Sequence, residues 1–435
     1  MIEAITLKNF KSFTDATLRL GNLTFLIGTN ASGKSNIRDA FRFIHGISRG
    51  YTLAEIIGEK WIEGGVQQWT GIRGGLREAC YRNGGQTNNQ FTIGVKVSLP
   101  GDKPATADYS ISVNVGDKGR PAYVTSEHLV ITGRGKFVFD THPDGKEASG
   151  TKDPRMISAQ IRKNPKKGWV GPTLEFSRDR PVITQMAEHP GTKDLKAREE
   201  AQLFLSAISS FRFLDLSPDA LRQPSIPGQM ILSDKGENLS SVLAGICEKP
   251  EMKEALIEWT RELTPLDVTD IKFPEVSLGG KIQLQLIEAG GKEISADSAS
   301  DGTLRFLAYV AAFLGTRPAE FYFFEELENG IHPNRLHLLV SLMNSRTKEA
   351  GLQVIATTHS PAMLDYLDTA TLENAALIYR QAGKPSQIKS LRDVPELWRV
   401  LPGRKAGGLQ SSGWFETVMA FCSDERVAAE QGGPS

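Results

Sequence analysis

Polar and apolar positions alternate at the start of the chain and then give way to a solid apolar run. IEAITLKNF (residues 2–10) and TDATLRL (14–20) alternate, as strands with one buried face do. NLTFLIG (22–28) is almost continuously apolar, which is typical of a strand buried on both faces. After polar GTNASGKSN, IRDAFRFIHGI (37–47) places apolar residues at helical spacing. The pattern predicts three strands, a loop and a helix.

The rest of the chain changes period several times. Residues 50–90 are glycine-rich and irregular, residues 91–140 return to strand patterns, and residues 141–192 are polar with no clear period. Residues 194–262 are mostly helical in pattern. Strands and helices then follow each other: strands at VTDIKF and KIQLQLIEA, a helix at 303–315, a strand at FYFFEE, a helix at RLHLLVSLMNS and a strand at LQVIATTHS. The sequence contains no internal repeat and no heptad run.

Both ends of the chain carry elements of the α/β type. The N-terminal strands and the block from 280 to 380 suit one α/β sheet, so we predict that sheet, with the middle of the chain as an insertion. The predicted segments are an N-terminal lobe with a β-rich part, a mostly helical insertion, a C-terminal lobe and a tail, with bounds 1–140, 141–265, 266–400 and 401–435.

Composition and charge narrow the class of protein. With 40% hydrophobic and 23% charged residues, the chain has the composition of a globular protein. Its 51 basic and 51 acidic residues give no net charge, so a nucleic-acid contact needs a local basic patch. IRKNPKKGW (161–169) has that character: it either contacts phosphates or is a solvated loop.

The spacing of the cysteines and the length of the apolar runs indicate the cellular compartment that we expect. Cys80, Cys247 and Cys422 are far apart and form no CxxC, which argues against a disulfide framework or a zinc site. MIEAITLKNF does not have the pattern of a signal peptide, and no apolar run approaches the roughly 20 residues of a membrane helix. We therefore expect a cytoplasmic protein without a membrane partner.

GTNASGKS, residues 28–35, fits the phosphate-binding pattern G-x-x-x-x-G-K-[ST] and is called the Walker A loop below. It follows a predicted strand and begins a predicted helix, which is the context that the pattern requires. Gly28 and Gly33 allow a tight backbone turn, and successive N–H groups supply partial positive charge. Lys34 then reaches the β- and γ-phosphates, and the Ser35 hydroxyl binds Mg²⁺. The alternative is a chance glycine turn.

FYFFEELENGIHP (321–333) places three carboxylates, Glu325, Glu326 and Glu328, directly after an apolar strand. In P-loop ATPases a second strand ends in a carboxylate that holds Mg²⁺, and Glu325 has that position. Glu326 can orient or deprotonate the attacking water, because adjacent residues at a strand end point in different directions. The alternative is a solvated acidic turn, and the presence of a Walker A loop in the same chain disfavours that interpretation.

Two further turns follow the same logic. TTHS (357–360) ends another apolar strand, so His359 is a candidate contact for the γ-phosphate; otherwise it is a histidine at the edge of the core. SASDGTLRFLAYV, from Ser298, begins a helix with a Ser-x-Gly turn whose amides can bind phosphate. Ser300 and Gly302 suit a nucleotide held by a partner subunit. The alternative is an ordinary capped helix.

The order of these motifs resembles that of ABC-type ATPases. NFKSF (9–13), together with IGTNASGKSN and ENGIHP, looks like the SMC/RecF branch. More narrowly, the chain resembles stand-alone bacterial AAA-family ATPases related to the ATPase domain of overcoming-lysogenization-defect proteins, without a TOPRIM domain. The likeness covers about 1–45 and 285–380, with weaker likeness at FLDLSPDALRQP and DKGENLSSVL. It implies an ABC-type P-loop NTPase head with a mixed sheet, interrupted by a large α+β insertion.

The resemblance also implies roles for individual residues. The nucleotide-binding set is Lys11, near the adenine, and Gly28, Thr29, Asn30, Ala31, Ser32, Gly33, Lys34, Ser35 and Asn36. The metal set is Ser35, Glu325 and the Q-loop glutamine, assigned to Gln67 with Gln68 as the alternative. The remaining set is Glu326 as catalytic base, His359 as switch histidine, Asn329 in the D-loop, and Ser300, Asp301, Gly302 and Thr303 as a signature that acts in trans.

Three positions depart from the family pattern. Glu325 stands where most members have Asp, Leu327 replaces the usual Pro, and SDGT is a degenerate signature. None of these changes removes a required group, so we expect slow hydrolysis of ATP to ADP and phosphate. The absence of a coiled coil, a DxD triplet and an RxxxxH motif argues against SMC proteins and against a nuclease within this chain.

The function that the resemblance implies is an ATPase subunit that dimerises head-to-tail on ATP, as a homodimer or higher homo-oligomer. It would control a separate effector, a nuclease or toxin, in bacterial DNA processing, repair or anti-phage defence, with DNA or another nucleic acid as a further candidate partner. Two alternatives stay open at this point. One is a non-hydrolysing DNA-binding scaffold or nucleotide switch, and the other is a transporter-type nucleotide-binding domain.

Overall fold

The computed structural model describes most of the chain. The described residues are 1–418 except 84–85, 102–103, 117–118, 120, 135, 149, 151, 165–168, 187, 193, 265, 277–278, 316–317 and 416. Cys422, the centre of the basic patch at 161–169 and the end of the predicted tail lie outside these residues.

The strands and helices are as follows. The strands are β1 (Ile2–Phe10), β2 (Phe13–Arg19), β3 (Leu23–Ile27), β4 (Lys60–Ile62), β5 (Val66–Trp69), β6 (Arg82–Asn83), β7 (Gln86–Thr87), β8 (Gln90–Leu99), β9 (Ala105–Asn114), β10 (Tyr123–Ile131), β11 (Phe139–Asp140), β12 (Met156–Ile161), β13 (Lys163–Asn164), β14 (Trp169–Val170), β15 (Thr173–Ser177), β16 (Phe211–Leu214), β17 (Val268–Lys272), β18 (Gln285–Glu288), β19 (Glu293–Ser295), β20 (Phe321–Phe324), β21 (Gln353–Thr358), β22 (Ala376–Arg380) and β23 (Ser386–Ser390). The helices are α1 (Lys34–Ser48), α2 (Leu53–Ile57), α3 (Gly75–Glu78), α4 (Val182–Met186), α5 (Leu195–Ala207), α6 (Pro218–Leu221), α7 (Leu239–Cys247), α8 (Pro250–Leu263), α9 (Asp301–Leu314), α10 (Leu336–Glu349), α11 (Pro361–Leu364), α12 (Thr369–Glu373), α13 (Pro395–Val400) and α14 (Ala406–Ser411).

The chain divides into two compact units. The first unit comprises Met1–Gly21, Gly28–Phe211 and Ala376–Ser390, and the second comprises Asn22–Ile27, Arg212–Ala375 and the chain from Leu391. The predicted segment bounds at 140, 265 and 400 stay a prediction.

The first unit is built on an eight-stranded antiparallel sheet of order β15-β12-β11-β10-β9-β8-β1-β2. Its core fixes the position of α1, the helix that begins inside the Walker A loop. Phe43 of α1 and Phe10 of β1 both meet the ring of Phe91 in β8, with ring centroids 5.4 and 5.2 Å away. All three side chains are fully buried. The middle of α1 is therefore packed into the core beside the sheet.

The second unit contains parallel strands. β20 pairs with β21, and β21 pairs with β3, both in parallel. Helix α9 covers β20 with aromatic side chains: the rings of Tyr309 and Phe324 lie 5.3 Å apart, and the Tyr322 hydroxyl donates to the carbonyl of Ala312 at 2.6 Å. Parallel strands, antiparallel strands and surrounding helices confirm the predicted α/β class.

One expectation needs correction. The N-terminal strands do not all join the sheet of the C-terminal block: β1 and β2 belong to the antiparallel sheet, and only β3 pairs with β21. The sequence pattern contains the reason, because β1 and β2 alternate whereas all five residues of β3 are buried. The polar segment 141–192 also yields strands β12 and β15; neither has a regular alternation, since β12 has three consecutive buried residues and β15 has only one buried residue.

Within the described part of the chain, none of the helices is both long enough and apolar enough to span a membrane.

Candidate functional site

The Walker A loop joins β3 to α1 and holds its lysine inward. Gly33 and Ala31 have positive φ, 117° and 63°, so the backbone curls before the helix begins. The Lys34 ammonium donates to the carbonyls of Gly28 and Thr29 at 2.6 and 2.9 Å, and the residue is only 8% exposed. The loop therefore surrounds a buried positive charge at a helix N-terminus, which is an arrangement that attracts phosphate.

Both Walker A glycines lie where a side chain would not fit. A Cβ on Gly28 would come 2.2 Å from the carbonyl oxygen of Ile378, and one on Gly33 would come 2.9 Å from Oγ of Ser386. Ser386 also donates its N–H to the carbonyl of Ser12 at 2.8 Å. The hairpin β22–β23 thus supports the loop, which sequence reasoning missed because nothing in the pattern of β22 or β23 points to this contact.

Two hydroxyl groups near this loop are buried without a hydrogen-bond partner among the described residues: those of Ser32 and Ser386. Buried orphan hydroxyls are costly unless a ligand or water satisfies them. Thr29, Asn30 and Ala31 are exposed, whereas Ser35 and Asn36 are half-buried, and Nδ2 of Asn36 donates to Oγ of Ser12 at 2.8 Å. The two glycines leave no room for a side chain, two buried hydroxyls lack a partner among the described residues, and Lys34 is positively charged. Together these groups suit the binding of a chain of phosphates.

Lys11 lies in a buried ion pair. Its ammonium is 2.9 Å from a carboxylate oxygen of Asp39 in α1, and the two side chains are 5% and 1% exposed. Arg73 completes the cluster, because its Nε is 3.1 Å from Asp39 and its carbonyl accepts from Lys11. The contacts join the β1–β2 turn, α1 and the segment around Arg73. Lys11 therefore has a partner that the sequence did not suggest.

Gln67 lies in the hairpin β4–β5 of the first unit. Its Cα pairs with that of Trp61, and its side chain is exposed, as is that of Gln68. The assignment of a metal-binding role to Gln67 stays a prediction.

The second unit gathers its polar residues where parallel strands end. Phe324, the last residue of β20, pairs with Ala356, and Thr358, the last residue of β21, pairs with Ile27. Glu325 and His359 are the next residues after β20 and β21, so both leave the sheet at its carboxyl edge. Ligand sites of open α/β sheets lie outside this edge.

Residues 325–330, called the carboxylate turn below, form a tight loop around Glu326. Glu326 has a positive φ of 47°, which is uncommon for a residue with a side chain. Its N–H donates to Oγ1 of Thr357 at 2.8 Å, and its carboxylate accepts from the side-chain amide of Asn329. Asn329 also donates its N–H to the Glu326 carbonyl at 2.9 Å. The carboxylate of Glu326 is thus fixed, with Glu325 half-buried beside it.

His359 contacts Glu328, for which the sequence pattern predicts no role. Oε1 of Glu328 accepts from the His359 N–H at 2.9 Å and lies 3.3 Å from Nδ1 of the ring. The Gln410 side chain donates to the His359 carbonyl at 3.3 Å. Both main-chain groups of His359 are therefore held, and its ring stays 44% exposed. The sequence does not predict that Glu328 pairs with His359, because helix α10 and strand β21 lie between the two residues along the chain.

The signature turn, residues 300–303, begins α9. The Ser300 hydroxyl accepts from the N–H of Thr303 at 3.1 Å, as an N-cap does. Asp301 is paired with Arg222, whose guanidinium is 2.5 Å away and also donates to the carbonyl of Ala299. A Cβ on Gly302 would come 2.1 Å from the carbonyl oxygen of Gly330, so the signature turn lies against the carboxylate turn.

A cavity of about 790 Å³ opens beside the signature turn. Its lining includes Ser300, Gly302 and Thr303 together with His332, Arg335 and the acidic Glu262. The start of α9 thus borders a cavity with charged groups of both signs, of which the helix N-terminal groups and Arg335 can contact an anion.

Two family models match the chain. One, described as "AAA domain, putative AbiEii toxin, Type IV TA system", matches residues 187–365, and another, described as "AAA ATPase domain", matches residues 1–57. The second segment contains the Walker A loop. The first contains the signature turn, the carboxylate turn and His359.

Individual relatives are more distant. An "ATP/GTP phosphatase" of Helicobacter pylori (strain ATCC 700392 / 26695) is 27% identical over 141 residues, which are 31% of this chain and 36% of that protein. The chain thus spans about a third of the length of this curated relative.

Among solved structures, similar chains are SMC head domains. The SMC head bound to the C-terminal winged-helix domain of ScpA has a TM-score of 0.49 at 15% identity, with 91% of this chain and 99% of that chain covered. The Pyrococcus furiosus head with an extended coiled coil, bound to the C-terminal domain of ScpA, has a TM-score of 0.47 at 14% identity, with 92% and 99% covered. The Thermotoga maritima head has a TM-score of 0.41 at 11% identity, with 89% and 98% covered. In the segments 1–57 and 187–365, which hold all these motifs, the chain is similar in sequence to AAA-type P-loop ATPases.

Proposed function

We propose that this chain is an ATP-binding and ATP-hydrolysing subunit that dimerises head-to-tail and controls a separate effector. The observation that carries the proposal is the buried Lys34 ammonium inside the Walker A loop at the start of α1. The AAA family models and the name of the Helicobacter pylori relative support the same chemistry.

The Walker A loop binds the phosphates. On nucleotide binding, the Lys34 ammonium exchanges the carbonyls of Gly28 and Thr29 for phosphate oxygens, which are charged and therefore stronger partners. The N–H groups of residues 29–33 and the N-terminus of α1 add partial positive charge. Asn36 follows in the first turn of α1.

Ser35 and Glu325 are the residues that would hold Mg²⁺. A hydroxyl and a carboxylate are the oxygen ligands that Mg²⁺ prefers, and it usually keeps several waters besides one or two such groups. When bound, Mg²⁺ neutralises charge on the phosphate oxygens. Gln67 would join this set only if its exposed hairpin contributes to the site.

Glu326 acts as the general base in this proposal. Its carboxylate is held by Asn329, and its main chain by Thr357, so little reorientation is required when a water arrives. The water gives its proton to Glu326 as its oxygen attacks the γ-phosphorus, and the bond to the β,γ-bridging oxygen breaks to leave ADP. His359 contacts the γ-phosphate from the adjacent strand end.

The signature turn completes the site of a second copy. Ser300, Gly302 and Thr303 line a cavity, although the Ser300 hydroxyl also caps the N–H of Thr303. A partner's γ-phosphate would contact them only in the closed dimer, so ATP would shift the population toward that state. The proposed effector is a separate toxin or nuclease. DNA processing, repair and anti-phage defence are the settings that this effector control would serve.

The test is turnover of wild-type protein and of Glu326→Gln with ATP and Mg²⁺. We expect phosphate release by the wild type and a loss of about 100-fold or more in the variant, with nucleotide binding retained. Glu349→Gln, at the exposed end of α10, is the matched control and keeps wild-type turnover. A wild type without turnover would favour a non-hydrolysing switch instead.

A further inference from the structure

Glu328 is the one carboxylate after β20 that the proposed function does not use. Its side chain is only 9% exposed, and its Oε2 is buried with no hydrogen-bond partner among the described residues. A buried carboxylate oxygen without a partner lowers stability, so a charged residue at this position requires an explanation.

Main-chain support alone does not supply that explanation. Oε1 of Glu328 accepts from the N–H of His359 at 2.9 Å, but the amide oxygen of a glutamine would accept this bond equally well and would not bury a charge. The ring supplies the missing reason. Nδ1 of His359 lies 3.3 Å from the same Oε1, which is ion-pair distance for a ring that carries a proton on Nδ1.

We infer that Glu328 is a positioning residue that sets the orientation and proton arrangement of His359. The hydrogen bond at one ring nitrogen decides which role the other nitrogen takes. With Nδ1 facing Glu328, Nε2 is the ring nitrogen turned away from the carboxylate and available to an oxygen of the γ-phosphate. Without the carboxylate, neither the ring orientation nor the nitrogen that carries a proton is set by this neighbour.

The backbone contacts agree with this role. The N–H of His359 is held by Glu328, and its carbonyl accepts from Gln410 of α14 at 3.3 Å. The main chain on both sides of the ring is thus fixed, while the ring itself is 44% exposed. A held backbone with an open ring is what a ligand contact requires.

The first measurement needs no turnover. Long-range ¹H–¹⁵N correlation on histidine-labelled protein reports which ring nitrogens carry protons, and His359→Gln identifies the signal among the seven histidines. We expect Nδ1 of His359 to be protonated in the wild type and to lose that preference in Glu328→Gln. This variant keeps an acceptor for the His359 N–H. An unchanged His359 pattern in the variant would overturn the inference.

The second measurement is kinetic, and for it the inference rests on the proposed function. Glu328→Gln should lower kcat for ATP about tenfold to a hundredfold with little change in KM, the size typical of an orienting partner. In the background of His359→Gln the same change should have almost no further effect, because both act through one ring. An equal loss in both backgrounds would overturn the inference.

Controls separate the possible failures. Glu254→Gln, on the exposed side of α8, is the matched charge removal and should leave turnover and the His359 signal unchanged. Where Glu328→Gln lowers the unfolding temperature, Glu328→Asp is the second variant: it keeps the carboxylate but is shorter by one methylene, and it should keep more of the Nδ1 preference than Glu328→Gln does. A wild type that does not hydrolyse ATP would refute the proposed function while leaving the first measurement decisive for Glu328.

Discussion

At the residue scale, the three carboxylates after β20 have different surroundings although they span four positions. Glu326 is held in a left-handed conformation by Thr357 and Asn329, Glu328 is buried against His359, and Glu325 is half-buried at the strand end. Position along the strand and the family pattern were enough to single out Glu325 and Glu326. The role of Glu328 required the fold, since its partner follows another strand.

Lys34 gives the residue-scale prediction. Lys34→Ala removes the buried positive charge of the Walker A loop and should weaken ATP binding at least about tenfold, because a hydrogen bond to a charged group contributes roughly 1.5–3 kcal/mol. Titration calorimetry measures the affinity. Lys8→Ala, on the exposed face of β1, is the control and should bind like the wild type. Equal affinity of Lys34→Ala and the control would refute the site.

At the element scale, the sequence predicts some parts well and others poorly. The strands β3 and β20 stand out as continuous apolar runs, and the helix after the Walker A loop stands out by its helical spacing of apolar residues. Strands β12 and β15 do not, since their exposed positions and flanking loops carry charged and polar residues. The support of Gly28 by β22 comes from residues distant in sequence and has no local signal.

Glu127 of β10 joins two elements of the first unit. Its carboxylate accepts from the N–H groups of Val182 and Ile183 at the start of α4 and from the hydroxyl of Tyr109 in β9. Burial raises the pKa of Glu127 to about 7, against the opposing effect of these hydrogen bonds. The sheet and α4 therefore share one buried titratable group.

This group predicts a pH dependence of stability. Because the folded-state pKa is raised, the folded protein binds the proton more tightly than the unfolded chain does, so the contribution is fully present below pH 4.5 and is lost as pH rises through about 7. The contribution of Glu127 to the free energy of unfolding is on the order of 3 kcal/mol. The unfolding temperature of the wild type should fall more between pH 5 and 8 than that of Glu127→Gln. Glu175→Gln, on exposed β15, should follow the wild type, and parallel curves for all three would contradict the assignment.

At the scale of the whole molecule, the account requires two copies for each nucleotide. The Walker A loop and Glu326 of one copy would supply phosphate binding and the base, and the signature turn of the other would close the site. The cavity beside Ser300 and the packing of Gly302 on Gly330 support this arrangement, because they leave the start of α9 accessible yet fixed. The order of the motifs along the chain predicts that two copies share each nucleotide site. The identity of the effector depends on the surface of another protein, so the sequence of this chain does not predict it.

The measurement that tests this claim most directly is complementation between two inactive variants. Lys34→Ala removes phosphate binding, and Ser300→Arg fills the signature turn, so each alone should be inactive. Mixed in equal amounts, they should recover about a quarter of wild-type turnover, because half of randomly paired head-to-tail dimers are mixed and each has one complete site of two. No recovery, with mixed dimers demonstrated by differential tagging, would contradict the shared site.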